Sequence, residues 1–218
     1  GGSKGIPRKN LAIVGGISLT ARAILFAQHS GLFDVIHVST DDDEIAKEAE
    51  RYGAPVSFLR SSETSSDVSS ATDVIREVHR NFANRGNLFA TIAVLEPTSP
   101  MRTKEVVEKT LSSIEGTEWD AALTLSPVSV KYHPDKQFTM SENGDAQFFT
   151  QLGHQVNRRQ DLSVTYVRNG LCYAIRSESI EKGTNIFGYR LRAIVWDIPY
   201  VNIDTPEDLE RCREMLRS

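Results

Sequence analysis

Long apolar runs are missing from this chain. The stretch from Ile92 to Leu95 is typical of the longest, far short of the roughly 20 residues that a membrane-crossing helix needs, and no signal-type apolar segment opens the sequence. A soluble, cytoplasmic protein is expected, with no membrane partner. Cysteine is scarce as well. The two copies, Cys172 and Cys212, form neither a C-x-x-C pair nor a metal spacing, so they read as buried free thiols of a reducing compartment. The five histidines, His29, His37, His79, His133 and His154, make no H-E-x-x-H or other close cluster, which argues against zinc chemistry. Positive charge is not in surplus: 25 Lys and Arg stand against 29 Asp and Glu, a formal net charge of -4. That speaks against a general nucleic-acid or anionic-membrane binder while leaving room for a local basic pocket. With 39% hydrophobic and 25% charged residues over 218 positions, the composition is that of one large globular domain, not of a disordered or fibrous chain.

What is present is alternation. Asp34 to Thr40 is β-branched and apolar, and Asp42 to Tyr52 then reads as a helix ended by Gly53. Val56 to Leu59 predicts a short strand, Ser70 to Phe82 a helix with Ile75, Val78 and Phe82 on one face, and Phe89 to Leu95 a buried-type strand. Thr103 to Ile114 repeats the helical stripe, and strands return at Tyr166 to Ile175, at Leu191 to Trp196 and in the apolar run Ile194 to Val201. The chain closes on a helix with Thr205 as cap, Pro206 at its first position and Asp208 at its third. Such βαβα order implies an α/β protein, a mostly parallel sheet covered by helices on both faces, with ligands beyond the carboxyl ends of the strands. Between Val130 and Val164 the pattern dissolves into turn residues and short aromatic stretches. We read residues 130–165 as an insert for dimerisation or for covering the substrate.

The first ten residues, GGSKGIPRKN, combine glycines that bring backbone N–H groups close to an anion with three cations. That is a natural phosphate cradle, though not a Walker loop, and by itself it does not distinguish phosphate binding from a solvated terminus. The continuation decides. GISL follows at 16–19, GLFDVIHVSTDDDEIA at 31–46, FLRSSE at 58–63, SDVSSATDV at 66–74, LEPTSPMRT at 95–103, RRQDL at 158–162, NGLCYAI at 169–175 and NIDTPEDL at 202–209. In this order the pieces resemble the CMP-sialic acid synthetases, the N-acylneuraminate cytidylyltransferases, along almost the whole chain.

The resemblance implies a three-layer, Rossmann-like fold of the nucleotide-diphospho-sugar transferase type and a homodimer whose insert reaches the partner subunit. It implies the reaction CTP plus N-acylneuraminate to CMP-N-acylneuraminate plus pyrophosphate, with Mg²⁺ as cofactor. Carried over by position, Ser3, Lys4, Lys9 and Asn10 would hold the triphosphate, Lys4 and Lys9 offsetting charge as pyrophosphate leaves. Arg60, Ser69 and Ser70 would border the cytosine and ribose, Ser70 also reading as a helix cap. Arg159 would clamp the sugar carboxylate with its planar fork. Glu96, Thr98 and Ser99 lie in a loop that would face the sugar. Asn169 and Tyr173, four apart on one strand, would present one face to it, and Phe187 would add an apolar wall. Core packing is the competing reading of Tyr173 and Phe187. Asp204, at a strand end, would be the catalytic Mg²⁺ ligand, with Asn202 beside it. For the triple Asp41, Asp42 and Asp43, a helix cap at Asp41 or Asp42 is a better explanation than a metal cluster.

Three departures accompany the resemblance. The family carries a strand ending in an alanine–arginine pair ahead of GGSKG, so the chain is expected to be incomplete at that end. Asn202 replaces the first aspartate of an Asp-x-Asp pair, which favours one Mg²⁺ over two. Glu96 replaces a glutamine, turning a mixed donor and acceptor into an acceptor only and pointing to an altered acyl or amino pattern on the sugar. Legionaminic, pseudaminic or eight-carbon ulosonic acids are therefore the alternative substrates, and a non-catalytic nucleotide-binding homologue is the alternative of another class. A dinucleotide oxidoreductase is a poorer reading still, because no strand leads into G-x-G-x-x-G with an acidic residue after the next strand.

Overall fold

Among the described residues, every helix of eight or more residues begins where the sequence supplies a short hydroxyl or carboxylate. The computed structural model describes residues 5–65, 70–156 and 158–217. Ser18 caps α1 (Leu19–Ser30), accepting from Ala21 N at 3.0 Å, and Asp42 caps α2 (Asp43–Arg51), accepting from Glu44 N at 2.8 Å. Ser70 caps α3 (Ala71–Ala83) in a reciprocal box with Asp73, and Thr103 caps α4 (Lys104–Ser112). Thr205 caps α6 (Pro206–Met215) in a second box with Asp208. Each such cap contributes about 1 kcal/mol by satisfying an orphan N–H. The cap on α2 accounts for Asp42 in the acidic triplet, and the N–H groups of Glu44 and Ile45 hold its carboxyl below the usual range.

The central sheet has the order β3–β7–β4–β8, built from β3 (Thr91–Val94), β4 (Ala121–Pro127), β7 (Tyr166–Arg176) and β8 (Leu191–Val195). β7 is antiparallel to both β3 and β4, while β4 and β8 are parallel. The sheet is therefore mixed: β3, β4 and β8 share one direction, and β7 runs against them. Register partners show how both faces are covered. Ala121 and Ile175 pack with Ile75 of α3, whereas Ala122 and Ala174, one residue along, pack with Ile114 just beyond α4. Alternation along the strands thus sends one set of side chains to each helical layer. Two short antiparallel pairs lie outside this sheet, β1 (Ile13–Val14) with β2 (Ile17–Ser18), and β5 (Phe138–Met140) with β6 (Ala146–Phe148). A one-turn helix, α5 (Ser177–Glu181), follows β7.

Two expected strands are not formed. Residues 34–40 and 56–59 run without a ladder, joined by one backbone bond from Arg60 N to Thr40 O at 2.8 Å. Their β-branched composition favours extension, but no regular partner lies on either side. A cavity of about 550 Å³ separates residues 35–40 from β3, with Ile36, Val38, Ile75 and Val94 among its walls. The apolar run expected to stay extended to Val201 leaves the sheet after Val195. Beyond it, Val201 and Ile203 join Ile6, Val14 and Leu209 in a separate buried cluster. The described residues of 130–165 form short helical turns around the β5–β6 hairpin, with the Phe138 ring tilted against Phe148 at 4.4 Å between ring centroids. Tyr132, Phe138, Met140 and Phe149 of this insert are exposed.

Candidate active site

Three loops meet at the carboxyl ends of the strands. The first is the glycine and lysine loop at the start of the chain, whose Gly5 lies so close to the last that a Cβ there would stand 2.6 Å from the carbonyl oxygen of Asp204. Only glycine permits that approach. Ile6 then anchors the loop in the cluster with Ile203, and a helical turn over Lys9–Leu11 carries Lys9 back toward the strand ends. Its Nζ donates to Asp204 Oδ1 at 2.8 Å, the lysine side chain being 16% exposed and the aspartate 67%. A largely enclosed cation thus faces an open carboxylate. Arg8 enters this turn with φ 53, the one non-glycine residue in the left-handed region among those described, and its guanidinium pairs with Glu44. Ser3, Lys4 and Ser69 lie outside the described residues.

The second loop, 95–103, is fastened to the third through the backbone, Ile203 N donating to Thr98 O at 2.9 Å. Ser99 is fully buried, its hydroxyl 3.0 Å from Asn169 O and 3.2 Å from Asn202 Oδ1. Asn202 Nδ2 in turn reaches Asp204 Oδ2 at 3.5 Å. A continuous polar path therefore runs from β7 through Ser99 and Asn202 to the carboxylate that Lys9 holds. Thr98 contributes its backbone to this arrangement.

On β7 the four-residue spacing of Asn169 and Tyr173 does not deliver a common face. The register slips between Leu123 and Leu125, and Gly170 takes φ +69. The bulge turns Asn169 inward, where it is 0% exposed: its Oδ1 accepts from Thr124 and from Leu171 N at 3.2 Å, and its Nδ2 donates to Ser126 at 3.0 Å. In this position Asn169 braces the bulge from within. Tyr173 is buried, and its phenol is pushed up by burial and by the nearby Glu96 carboxylate.

Glu96 sits where β3 ends. Its carbonyl accepts from Ser99 N at 3.0 Å and from Arg102, which is itself buried and donates to Leu171 O at 3.1 Å. Burial raises the Glu96 carboxyl above its ordinary value and Asp204 adds to the rise, outweighing the opposing pull of Arg102, Arg168 and Lys9. Arg168 is a candidate that the sequence reading missed. It is exposed, it lies near Glu96 and Tyr173, and its guanidinium covers the Phe187 ring at 5.5 Å. Its position just ahead of NGLCY was the available signal. Phe187 stands half-buried as that cation's platform.

The remaining candidates are more dispersed. Arg60 donates to Ser39 O at 2.6 Å and lines the cavity with Asn10, Thr40 and Glu96. Ser70 spends its hydroxyl on the α3 capping box, at 2.7 Å from Asp73 Oδ2. Arg159 is exposed in a short helical turn on the insert, and among the described residues no hydrogen bond or ion pair ties its guanidinium to Lys9, Asp204 or Glu96. Its neighbour Arg158 pairs with Asp161 at 3.2 Å.

No cluster of three or more His, Cys, Asp or Glu suited to a metal occurs among the described residues. Asp204 is a single open carboxylate, a donor set that suits Mg²⁺ when phosphate oxygens complete the shell. Asn202 offers less, since its oxygen already faces the Ser99 hydroxyl.

The cationic turn at Arg8 and Lys9, set against the Asp204 carboxylate at the strand ends of a mixed α/β sheet, suits a nucleotidyltransferase. The family model described as cytidylyltransferase matches residues 1–216. The chain belongs to the cytidylyltransferase family and is a nucleotidyltransferase enzyme. It is 29% identical over 213 residues to the pseudaminic acid cytidylyltransferase of Campylobacter jejuni, covering 96% of this chain and 90% of that protein. It is 33% identical over 185 residues to N-acylneuraminate cytidylyltransferase A of Danio rerio, covering 84% of this chain and 41% of that longer protein. In fold it is similar to a CMP:2-keto-3-deoxy-manno-octonic acid synthetase solved with CTP, with a TM-score of 0.75, 18% identity and coverage of 99% and 94% of the two chains.

Proposed function

We propose that the chain transfers the cytidylyl group of CTP to the anomeric hydroxyl of a sialic-acid-type nonulosonic acid, N-acylneuraminate by first expectation, releasing pyrophosphate. The observation that carries the reading is the contact of Lys9 with Asp204 at 2.8 Å, a cation and a carboxylate brought together at the strand ends of a family member. In the reaction the sugar oxygen bonds to the α-phosphorus as the bond to the pyrophosphate oxygen breaks, and the hydroxyl gives up its proton. Such a transfer asks little covalent chemistry of the protein and much positioning and charge stabilisation. Lys9, with Lys4, offsets charge on the departing pyrophosphate. Asn10, Ser3 and the loop backbone orient the phosphates, and Arg60, with Ser69 and Ser70, borders the nucleoside. Asp204, with Asn202 beside it, would hold one Mg²⁺, which when bound neutralises phosphate oxygens. Arg159 would clamp the sugar carboxylate, with the exposed Arg168 as the nearer rival.

Pseudaminic or legionaminic acid as acceptor is the second reading, favoured by the pseudaminic acid cytidylyltransferase that matches across nearly the full chain. We also propose a homodimer formed through residues 130–165, whose exposed Phe138, Met140 and Phe149 form an apolar surface of the kind that marks association. The test is pyrophosphate release with CTP, Mg²⁺ and a panel of nonulosonic acids. Release with one acid names the acceptor, and silence across the panel with CTP still bound marks a non-catalytic nucleotide-binding homologue.

A further inference from the structure

Arg8 holds a backbone conformation that arginine rarely adopts. At φ 53 and ψ 38 it occupies the left-handed region, which glycine enters freely and asparagine more cheaply than arginine. Its guanidinium pairs with Glu44, the two side chains being 61% and 52% exposed. An ion pair so open to water stabilises a fold little, so stability does not account for an arginine at this strained place. Strain kept at a site points to a use there. The next residue, Lys9, reaches a different partner, Asp204 at 2.8 Å. Adjacent cations thus fasten one turn to two separate parts of the chain, the start of α2 and the loop beyond β8.

What Arg8 grips leads to the cavity. Glu44 N donates to Asp42 Oδ1 at 2.8 Å, Asp42 N donates to Thr40 Oγ1 at 3.0 Å, and Thr40 O accepts from Arg60 N at 2.8 Å. Ser39 O takes a further bond from Arg60 at 2.6 Å. Ser39, Thr40, Asp41 and Arg60 wall the cavity on this side, and Asn10, within the cationic turn, is part of its wall as well. Arg8 is not among the lining residues, so its pair with Glu44 joins the two walls from outside the cavity.

We propose that Arg8 is a positioning residue, which through Glu44 holds the Lys9 turn and the 39–42 loop at the separation that a nucleoside triphosphate spans. On the cytidylyltransferase reading of this cleft, Lys9 serves the phosphates and Arg60 borders the nucleoside, so one ion pair sets the distance between the two ends of the CTP site. Arg8 itself touches neither end of the nucleotide. The pair acts before the nucleotide arrives. A turn already fastened loses less freedom on binding, and preorganisation of this kind is read out as affinity. It therefore governs the hold on CTP and not the hold on the acceptor sugar.

The test is titration calorimetry of CTP with Mg²⁺ on the full chain and on Arg8→Gln, Glu44→Gln, the double variant and Arg8→Lys, alongside pyrophosphate-release kinetics. Urea denaturation establishes that the variants fold. Each neutral single variant should weaken CTP binding about 2- to 5-fold, the range an exposed ion pair commands, and the double variant should be no weaker than either single. The KM for CTP should rise in step, with kcat and the sugar KM nearly constant. Arg8→Lys, which keeps the charge, should retain most of the wild-type affinity. Glu44→Gln is the deciding variant, since it leaves the Arg8 charge in place. Wild-type affinity in Glu44→Gln beside a loss in Arg8→Gln would make Arg8 a direct phosphate contact and overturn the proposal. Wild-type affinity in both, or losses that multiply in the double variant, would overturn it as well, and each of these results leaves the cytidylyltransferase reading standing. A wild type that binds CTP but releases no pyrophosphate with any acid would overturn that reading alone, the calorimetry still deciding the role of Arg8. A wild type that does not bind CTP would overturn both.

Discussion

Lys9 and Asp204 are 195 residues apart in sequence and 2.8 Å apart in space. Their meeting closes the site from both ends of the chain. As an ion pair with an exposed partner it contributes little to stability, within about 1 kcal/mol. Its value lies in placing a cation, and that separates two measurable quantities. Lys9→Met should lower kcat by on the order of 10²- to 10³-fold, as loss of one charge-stabilising group does, while moving the melting temperature by only a few degrees. A variant that melts normally and turns over at the wild-type rate would remove Lys9 from the chemistry.

Gly170→Ala tests the bulge that accommodates Glu96. At φ +69 an L side chain is strained, and the new Cβ would stand 2.6 Å from Glu96 Oε2 and against the Ser99 hydroxyl. We expect a loss of about 1–3 kcal/mol in urea denaturation together with a large fall in turnover. Gly116→Ala is the control, because it shares the positive φ, at 61, but meets nothing within 4 Å. It should cost about 1 kcal/mol and leave turnover unchanged. Equal effects from the two substitutions would show that backbone strain alone, and not the close approach, matters at Gly170.

These contacts also mark where sequence reasoning stops. The caps at Asp42, Ser70 and Thr205 were legible because a cap is a local event, settled by residues within one turn. α4 and α6 follow from their apolar stripes for the same reason. Strands need partners, and composition does not name them. Residues 34–40 have the β-branched content of a strand but no ladder, and β7 enters the sheet antiparallel between β3 and β4. Asn169 turns inward because alternation predicts faces only while register is unbroken, and the bulge at the left-handed Gly170 breaks it. Arg168 was missed because its one sequence cue, a place just ahead of NGLCY, carries no chemistry by itself. Its relevance comes from the ring and the carboxylate that the fold sets beside it.

His37 gives a pH dependence with a definite sign. The ring stacks on Phe58 at 4.4 Å and meets Phe82 edge-on at 5.4 Å, and neither nitrogen has a hydrogen-bond partner. Burial, with help from the Arg85 charge, lowers its pKa from 6.5 to about 4. The unfolded chain therefore takes up a proton below pH 6.5 that the folded chain refuses until about pH 4. The His37 contribution to stability is whole above pH 6.5 and is lost as pH falls through that window. Denaturant midpoints measured at pH 7.5 and pH 4.5 should differ less in His37→Phe than in the wild type. An identical difference in the two proteins would place the acid sensitivity elsewhere.

Asn169 decides between a sugar contact and an internal brace. If its amide bound the sugar, Asn169→Ala would raise the sugar KM and leave the fold as stable as before. The geometry predicts the reverse weighting. Removing the amide takes the side-chain acceptor from the Leu171 N–H and one bond each from the hydroxyls of Thr124 and Ser126, which keep Cys172 and Trp196 as partners. Each unsatisfied group costs on the order of 1–3 kcal/mol before water or rearrangement relieves it. We therefore expect Asn169→Ala to lose at least about 2 kcal/mol in urea denaturation. Turnover should fall only so far as the bulge loosens, with kcat changing and the sugar KM nearly constant. Asn169→Asp, which keeps the acceptor and loses the donor to Ser126, should sit between the two. A stable Asn169→Ala protein with a sharply raised sugar KM would return this residue to the sugar site.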